Sequence, residues 1–298
     1  SGAGEIQILS GEAMGTSWSL HAVSASPDLA AGVQAAFGRV VGQMSQWEPD
    51  SDLSRFNRAP AGAWREIPSE FAHVVAAALA IADASDGAFD PALGAITENW
   101  GFGSRGPVDR VPRDQPAADR RVELEKGRIR RGEGAALDLS GIAKGYGVDL
   151  AAEWLLGQGV RHFLLELGGE LRGQGIRPDG QPWWVDVEMP PTTSIPPWRI
   201  ALHDLSVATS GNYRRGFVAD GRRYSHSFDP ATGRPIVSTV SSVTVLHRSC
   251  MMADGWATTL TVLGPEKAIA LADAQGLAAS MVAGTREHVS REWRAMLG

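Results

Sequence analysis

Asp254 and Thr258 stand four residues apart in the stretch Met251-Met252-Ala253-Asp254-Gly255-Trp256-Ala257-Thr258-Thr259-Leu260-Thr261. Its apolar majority predicts a helix, and on a helix positions i and i+4 share a face. A carboxylate and a hydroxyl would then meet at one point. Hard cations such as magnesium favour oxygen donors of this kind and keep room for water and phosphate. The same spacing fits an aspartate that opens a buried helix as its N-cap, and the segment alone does not choose between the two.

Four further segments carry groups able to do chemistry. In Asp138-Leu139-Ser140-Gly141-Ile142-Ala143-Lys144-Gly145-Tyr146-Gly147, three glycines surround a lysine just ahead of a predicted helix. Glycines let a backbone approach a ligand, and a helix start presents free N–H groups to phosphate. The spacing is neither a Walker loop nor a dinucleotide fingerprint, and a plain turn into a helix explains it equally. Leu167-Gly168-Gly169-Glu170 reads as a hairpin turn, which could also bring backbone against a flat ligand. Thr209-Ser210-Gly211-Asn212-Tyr213 precedes Arg214-Arg215. Hydroxyls, amides and guanidinium groups in one loop suit phosphate, and a polar hairpin would also account for them. His226 lies directly before Phe228-Asp229-Pro230-Ala231-Thr232-Gly233, a rigid turn that would hold it in place. Histidine is the default general base near neutral pH; a strand histidine can also be purely structural.

The elements that must position these groups follow from periodicity. Residues 5–24 alternate like strands around Met14-Gly15-Thr16. Leu29, Val33, Ala36, Phe37, Val40 and Val41 predict a helix over 28–44. A second, alanine-rich helix spans 69–85 and stops at Asp86-Gly87. Two short strands fall within 121–139, and a helix runs from the glycine-rich segment to about 156. Strands follow at 163–167, 171–175, 183–187, 200–202, 207–210, 215–218 and 240–246. The Asp254 helix, another over 265–275 and a strand over 278–282 complete the pattern. Strands and helices come in runs without strict βαβ alternation, so the fold class is α+β and not a doubly wound sheet. The proline-rich 189–197 stretch reads as a surface loop. One short echo, Phe89-Asp90-Pro91-Ala92 and Phe228-Asp229-Pro230-Ala231, is too brief to indicate duplication.

Composition narrows the function classes. With 298 residues, 43% hydrophobic, the chain can bury a sizeable core. A net charge of −6 gives no basic excess and argues against nucleic acid as partner. No apolar run approaches the ~20 residues that cross a bilayer. The single cysteine, Cys250, excludes an intramolecular disulfide and a cysteine-based metal cluster. Ser1-Gly2-Ala3-Gly4 reads as a trimmed or mature terminus, so the folded unit is expected over 5–298.

Taken together and in this order, the segments resemble the ApbE family, the FAD:protein FMN transferases. The matching pieces are Met14-Gly15-Thr16, Asp52-Leu53-Ser54-Arg55-Phe56-Asn57, Asp86-Gly87-Ala88-Phe89-Asp90, 138–147, Leu167-Gly168-Gly169, Ala208-Thr209-Ser210-Gly211, 225–235 and 253–258. Each is modest alone; eight in order are specific. The resemblance implies one mixed domain with antiparallel-rich sheets, flanking helices and a flavin cleft between two lobes. It implies that Asp254 and Thr258 give side-chain oxygens to magnesium, with backbone oxygens of Gly141 and Ala257 nearby. By the same resemblance Met14, Trp47, Ala88, Phe89, Asp90, Asp138, Lys144 and Phe228 line the FAD site, beside the Thr209-Ser210 loop. Trp47 stands where many members have tyrosine, and Glu166 where they often have asparagine.

The activity so implied is transfer of FMN from FAD to a Thr or Ser hydroxyl of an acceptor protein, with AMP leaving. His226 is the expected base and Asp254 the metal-bound carboxylate. A magnesium-dependent FAD pyrophosphatase would use the same site with water, and a flavin carrier would need the cleft without the metal. The resemblance also implies the periplasm, with lipid anchoring of a full-length form.

Overall fold

The computed structural model describes the chain except residues 1–3, 25, 27, 103, 105, 107–118, 192, 212–215, 220, 221, 226, 227, 230, 231, 237–239 and 298; the side chains of 216–219 and 222–225 are likewise not described. The first half forms β1 (Ile6–Ala13), β2 (Thr16–Val23), α1 (Leu29–Met44), α2 (Asp52–Arg58), β3 (Arg65–Glu66), α3 (Ser69–Ala84), α4 (Gly94–Asn99), β4 (Val122–Glu125), β5 (Arg128–Arg131) and α5 (Ala143–Gly157). The strand-rich part follows with β6 (Phe163–Leu167), β7 (Glu170–Gln174), β8 (Trp183–Asp186), β9 (Arg199–Leu202), β10 (Leu205–Gly211), β11 (Gly216–Ala219), β12 (Arg222–Ser225), β13 (Phe228–Asp229), β14 (Arg234–Pro235) and β15 (Val240–His247). Then come α6 (Cys250–Val262), α7 (Pro265–Ala274), β16 (Ala278–Ala283), β17 (Arg286–Val289) and α8 (Arg291–Ala295).

Among the described residues the main sheet has eight strands, in the order β1-β2-β6-β7-β10-β15-β16-β17, which is also chain order. Every pairing in it is antiparallel. Apart from α8, which follows β17, the other elements are insertions between neighbouring strands: α1 to α5 with β3 to β5 between β2 and β6, hairpins on either side of β10, and α6 with α7 between β15 and β16. This is the α+β class that runs of like elements predict.

One sheet face is covered by helices. Trp18, Leu20, Leu165 and Leu167 pack on Phe37 of α1 and on Val148 and Leu155 of α5. Further along, Val243 and Val245 pack on Trp256 and Leu260 of α6. The opposite face carries Val207 and Leu246, covered by Trp183 and Leu202 of the β8–β9 hairpin and by Trp293 of α8. Alternation along each strand therefore feeds two cores, which is why β10 and β15 are buried almost throughout. Helix α6 sits inside this packing with ten of its residues buried, as an apolar helix without a polar face must.

The helices expected over 28–44, 69–85 and 265–275 form within a residue of those limits. Helices α2, α4 and α8 and strand β17 are absent from the periodicity reading because each is shorter than the window in which a period shows. The N-cap alternative for Asp254 is corrected: α6 begins at Cys250, and Ser249 caps it by accepting the Met252 N–H. Asp254 is the fifth residue of the helix.

Candidate functional site

Helices α5 and α6 cross at their first turns, and that crossing builds the floor of a cleft of about 270 Å³. Asp254 Oδ2 accepts the Gly145 N–H at 2.9 Å. One turn further along α6, Thr258 Oγ1 donates to the Gly141 carbonyl at 3.0 Å. The i, i+4 pair thus converges with a backbone oxygen from the loop that leads into α5. A Cβ at Gly145 would press on the Cys250 carbonyl oxygen and lie 2.7 Å from Asp254 Cβ. A Cβ at Gly141 would lie 2.9 Å from Thr258 Cγ2. Gly145 therefore serves close helix contact, and Gly141 lets the loop reach the Thr258 hydroxyl while lining the cleft.

Charge at the floor is concentrated and buried. Lys144 Nζ donates to Glu170 Oε2 at 2.7 Å, and the Glu170 side chain is only 2% exposed. Burial pushes the Asp254 carboxyl well above the usual carboxylate range; Glu170 reinforces the shift, and Lys144 and the Gly145 N–H oppose it. Burial thus disfavours the charged form of this carboxyl, and a cation placed beside it would offset that cost. Burial also raises Asp90, whose Oδ1 accepts the Ala92 N–H at 2.8 Å while Arg120 lies 3.6 Å from Oδ2; both contacts oppose the shift.

The walls come from loops fixed by their own hydrogen bonds. Met14 and Gly15 form the β1–β2 turn with φ of 54° and 73°. Two successive positive φ values match the right-handed twist of a two-residue hairpin, and a non-glycine there costs about 1 kcal/mol. The Met14 side chain packs against both main cores. Phe89 is set by its N–H to Ser85 Oγ, and Asp138 Oδ1 accepts the Ser140 N–H. Phe228 lies edge-on to Trp100 and Phe102, at 6.3 and 5.7 Å between ring centroids. Thr209 Oγ1 pairs with Thr244 Oγ1 at 3.0 Å.

The cleft brings together Met14, Ala88, Phe89, Asp90, Asp138 and Gly141 with Lys144, Thr209, Ser210, Phe228, Asp254 and Thr258. Both phenylalanines of the short sequence echo are among them. Two expected residues, Trp47 and Ala257, are not among those that line the cleft, and neither is Glu166. Trp47, 57% exposed between α1 and α2, does not line the cleft. Ala257 is fully buried, and its carbonyl accepts Thr261 Oγ1 at 2.7 Å. Glu166 alternates on β6 with the core residues Leu165 and Leu167 and so points to the opposite sheet face. His226 and the 212–215 loop lie outside the described residues.

Sequence reasoning missed Glu170 as a site residue. The available signal was an acid opening a strand directly after the Gly168-Gly169 turn, where its burial demands a partner. It also missed Leu93 and Thr97, which line the cleft from α4 and the residue before it. No group of three or more His, Cys, Asp or Glu side chains suited to a metal occurs among the described residues. A cation at Asp254 would therefore rest on mixed side-chain and backbone oxygens.

The site is a cleft in an antiparallel α+β domain where two buried carboxylates, Asp254 and Glu170, meet a hydroxyl, a backbone carbonyl and a lysine, groups of the kind that suit phosphate-bearing ligands. The chain belongs to the ApbE family, whose model matches residues 14–281. It is 37% identical over 310 residues to the FAD:protein FMN transferase of Vibrio cholerae, covering 97% of this chain and 92% of that protein. It is 34% identical to the FAD:protein FMN transferase of Haemophilus influenzae, covering 92% and 85%. Among solved structures, the apo flavinyl transferase ApbE of Pseudomonas stutzeri superposes with a TM-score of 0.89 at 35% identity, covering 99% of this chain and 97% of that one. The flavin transferase ApbE of Vibrio cholerae gives 0.89 and 35%, covering 98% and 99%.

Proposed function

We propose that the protein transfers the FMN half of FAD to a Thr or Ser hydroxyl of an acceptor protein in a magnesium-dependent reaction. The observation that carries this reading is the convergence of Asp254, Thr258 and the Gly141 carbonyl beside Lys144 in one cleft. The acceptor oxygen attacks the FMN-side phosphorus of the pyrophosphate. The bond from that phosphorus to the bridging oxygen breaks, AMP leaves with the oxygen, and a phosphoester forms. The hydroxyl proton passes to His226, two residues before the cleft-lining Phe228.

The donor set suits magnesium, which binds through one or two carboxylates and completes its octahedron with water and substrate phosphates. Asp254 supplies the single carboxylate, held by the Gly145 N–H on one oxygen. Thr258 and the Gly141 carbonyl supply neutral oxygens. Ala257 is fully buried and is not among the residues that line the cleft, whereas Gly141 is, so the proposed set rests on the other three. Magnesium bound there would neutralise pyrophosphate oxygens and favour departure of AMP. Lys144, anchored by Glu170, presents its ammonium to the same region. Phe89, Phe228 and Met14 offer apolar surface to the flavin. In-line positioning and charge stabilisation by these groups account for the acceleration.

Two variants test the assignment with FAD, magnesium and a flavin-acceptor domain, followed by acceptor mass and AMP. Asp254→Ala should abolish magnesium-dependent turnover in a protein that still folds, and unchanged metal dependence would remove Asp254 from the metal set. His226→Ala should lose transfer at saturating FAD and acceptor, and near-normal transfer would remove His226 as base. AMP with free FMN and no adduct would mark a pyrophosphatase instead.

A further inference from the structure

The two helices that form the site floor exchange carboxylates. Asp254 of α6 accepts the Gly145 N–H in the first turn of α5. In return, Asp149 of α5 takes up the start of α6: its Oδ1 accepts the Cys250 N–H at 3.0 Å and its Oδ2 the Met251 N–H at 3.0 Å. Gly145 and Asp149 are four residues apart and share the α5 face that meets α6. Each carboxylate satisfies N–H groups that a first helical turn leaves without an intrahelical partner. Each also sits where the opposite helix concentrates partial positive charge.

Asp149 is more fully held than an ordinary cap. Oδ1 also accepts Arg172 Nη1 at 3.0 Å, and Oδ2 also accepts Ser249 Oγ at 2.8 Å. Each carboxylate oxygen therefore accepts two bonds in a buried position. Ser249 in turn caps α6 through the Met252 N–H. The carboxylate thus ties three elements, α5, α6 and β7, to one another at a single point.

From this geometry we infer that Asp149 is a positioning residue for the metal-binding pair. The inference rests on the functional reading above. Asp149 fixes where the first turn of α6 begins relative to α5. Asp254 and Thr258 ride on that helix, and their partners Gly145 and Gly141 lie on α5 or just before it. Release of Asp149 lets α6 shift or rotate against α5, so the three oxygen donors no longer meet. Such outer supports typically govern metal affinity by about 10- to 100-fold.

The experiment measures binding of Mn²⁺, a divalent ion that oxygen donors also suit, by electron paramagnetic resonance of the free ion. The protein is held with FAD, without acceptor and well below its melting temperature. Asp149→Asn keeps the shape but turns an amide NH₂ toward two donors. Its Mn²⁺ dissociation constant should rise on the order of 10-fold or more. Trp293→Leu, in the separate core on the other sheet face, lowers stability without touching the floor and should leave the constant within about twofold. If Asp149→Asn does not fold, Ser249→Ala removes one of the four bonds and should weaken Mn²⁺ severalfold.

A folded Asp149→Asn, or a Ser249→Ala standing in for it, that binds Mn²⁺ like the wild type would overturn the inference. So would equal weakening in Trp293→Leu, which would reduce the effect to general stability. Wild-type protein that binds no Mn²⁺ would overturn the metal assignment itself and the inference with it, so the two failures are distinguishable. A second readout separates the same roles: Asp149→Asn should raise the magnesium concentration for half-maximal transfer far more than it lowers the rate at saturating magnesium.

Discussion

Gly145→Ala tests whether the α5–α6 contact governs the chemistry, because propensity and packing pull that substitution in opposite directions. A Cβ there would lie 2.7 Å from Asp254 Cβ and from the Cys250 carbonyl carbon. Carbon atoms rest about 3.5–4.0 Å apart, so α6 must withdraw by about 1 Å. Neither obstacle is the mobile end of a side chain. Overpacking of this kind costs about 1–3 kcal/mol, while alanine in a helix interior returns about 1 kcal/mol relative to glycine. Net destabilisation should therefore stay within about 2 kcal/mol, read as a shifted urea midpoint with an unchanged slope. The catalytic loss should be far larger. The methyl pushes on Asp254 at the point where its Oδ2 meets the Gly145 N–H, and a displacement of about 1 Å can cost on the order of 10²-fold. Initial rates of acceptor flavinylation against FAD and magnesium measure it. A folded Gly145→Ala enzyme with wild-type rate would refute the claim that this contact sets the donor geometry.

Two other perturbations follow from buried charge. Lys144→Met leaves Glu170, 2% exposed, without its ammonium. Breaking a buried pair costs about 3–5 kcal/mol, and the part-exposed lysine puts this one near about 3 kcal/mol by urea unfolding; a loss under about 1 kcal/mol would show that Lys144 does not hold the Glu170 charge. Burial lowers the His247 imidazole below its ordinary 6.5, against the opposing charge of Asp149. The unfolded chain then binds the proton more readily, so this group's contribution falls as pH drops below 6.5, by at most about 1.4 kcal/mol per pH unit. Unfolding of wild type and His247→Gln at about pH 7 and about pH 5 should show a smaller pH dependence in the variant; identical profiles would contradict the sign.

Long periodic elements were legible in the chain because a period needs length to show: α1, α3 and the main-sheet strands fall where alternation or helical spacing places them. The Asp254–Thr258 spacing identified one face correctly but not its place in the helix. Ser249, five residues upstream, competes for the cap, and spacing carries no information about which hydroxyl or carboxylate wins. The glycine-rich run suits a phosphate loop, yet Gly145 is required by the close approach of α6, whose Asp254 lies 109 residues away in sequence. Glu170 and Asp149 escaped notice for a related reason: each is defined by partners far away in sequence, Lys144 for one and the first turn of α6 for the other. The expectation for Trp47 rests on resemblance alone; its side chain is exposed in the connection between α1 and α2 and is not among the residues that line the cleft.

The most direct measurement is the ratio of AMP released to acceptor modified, with FAD, magnesium and an acceptor domain present. Transfer breaks one pyrophosphate bond for each phosphoester formed, so AMP should match the acceptor molecules whose mass rises by FMN less one water. AMP accumulating with free FMN and an unmodified acceptor would contradict the account.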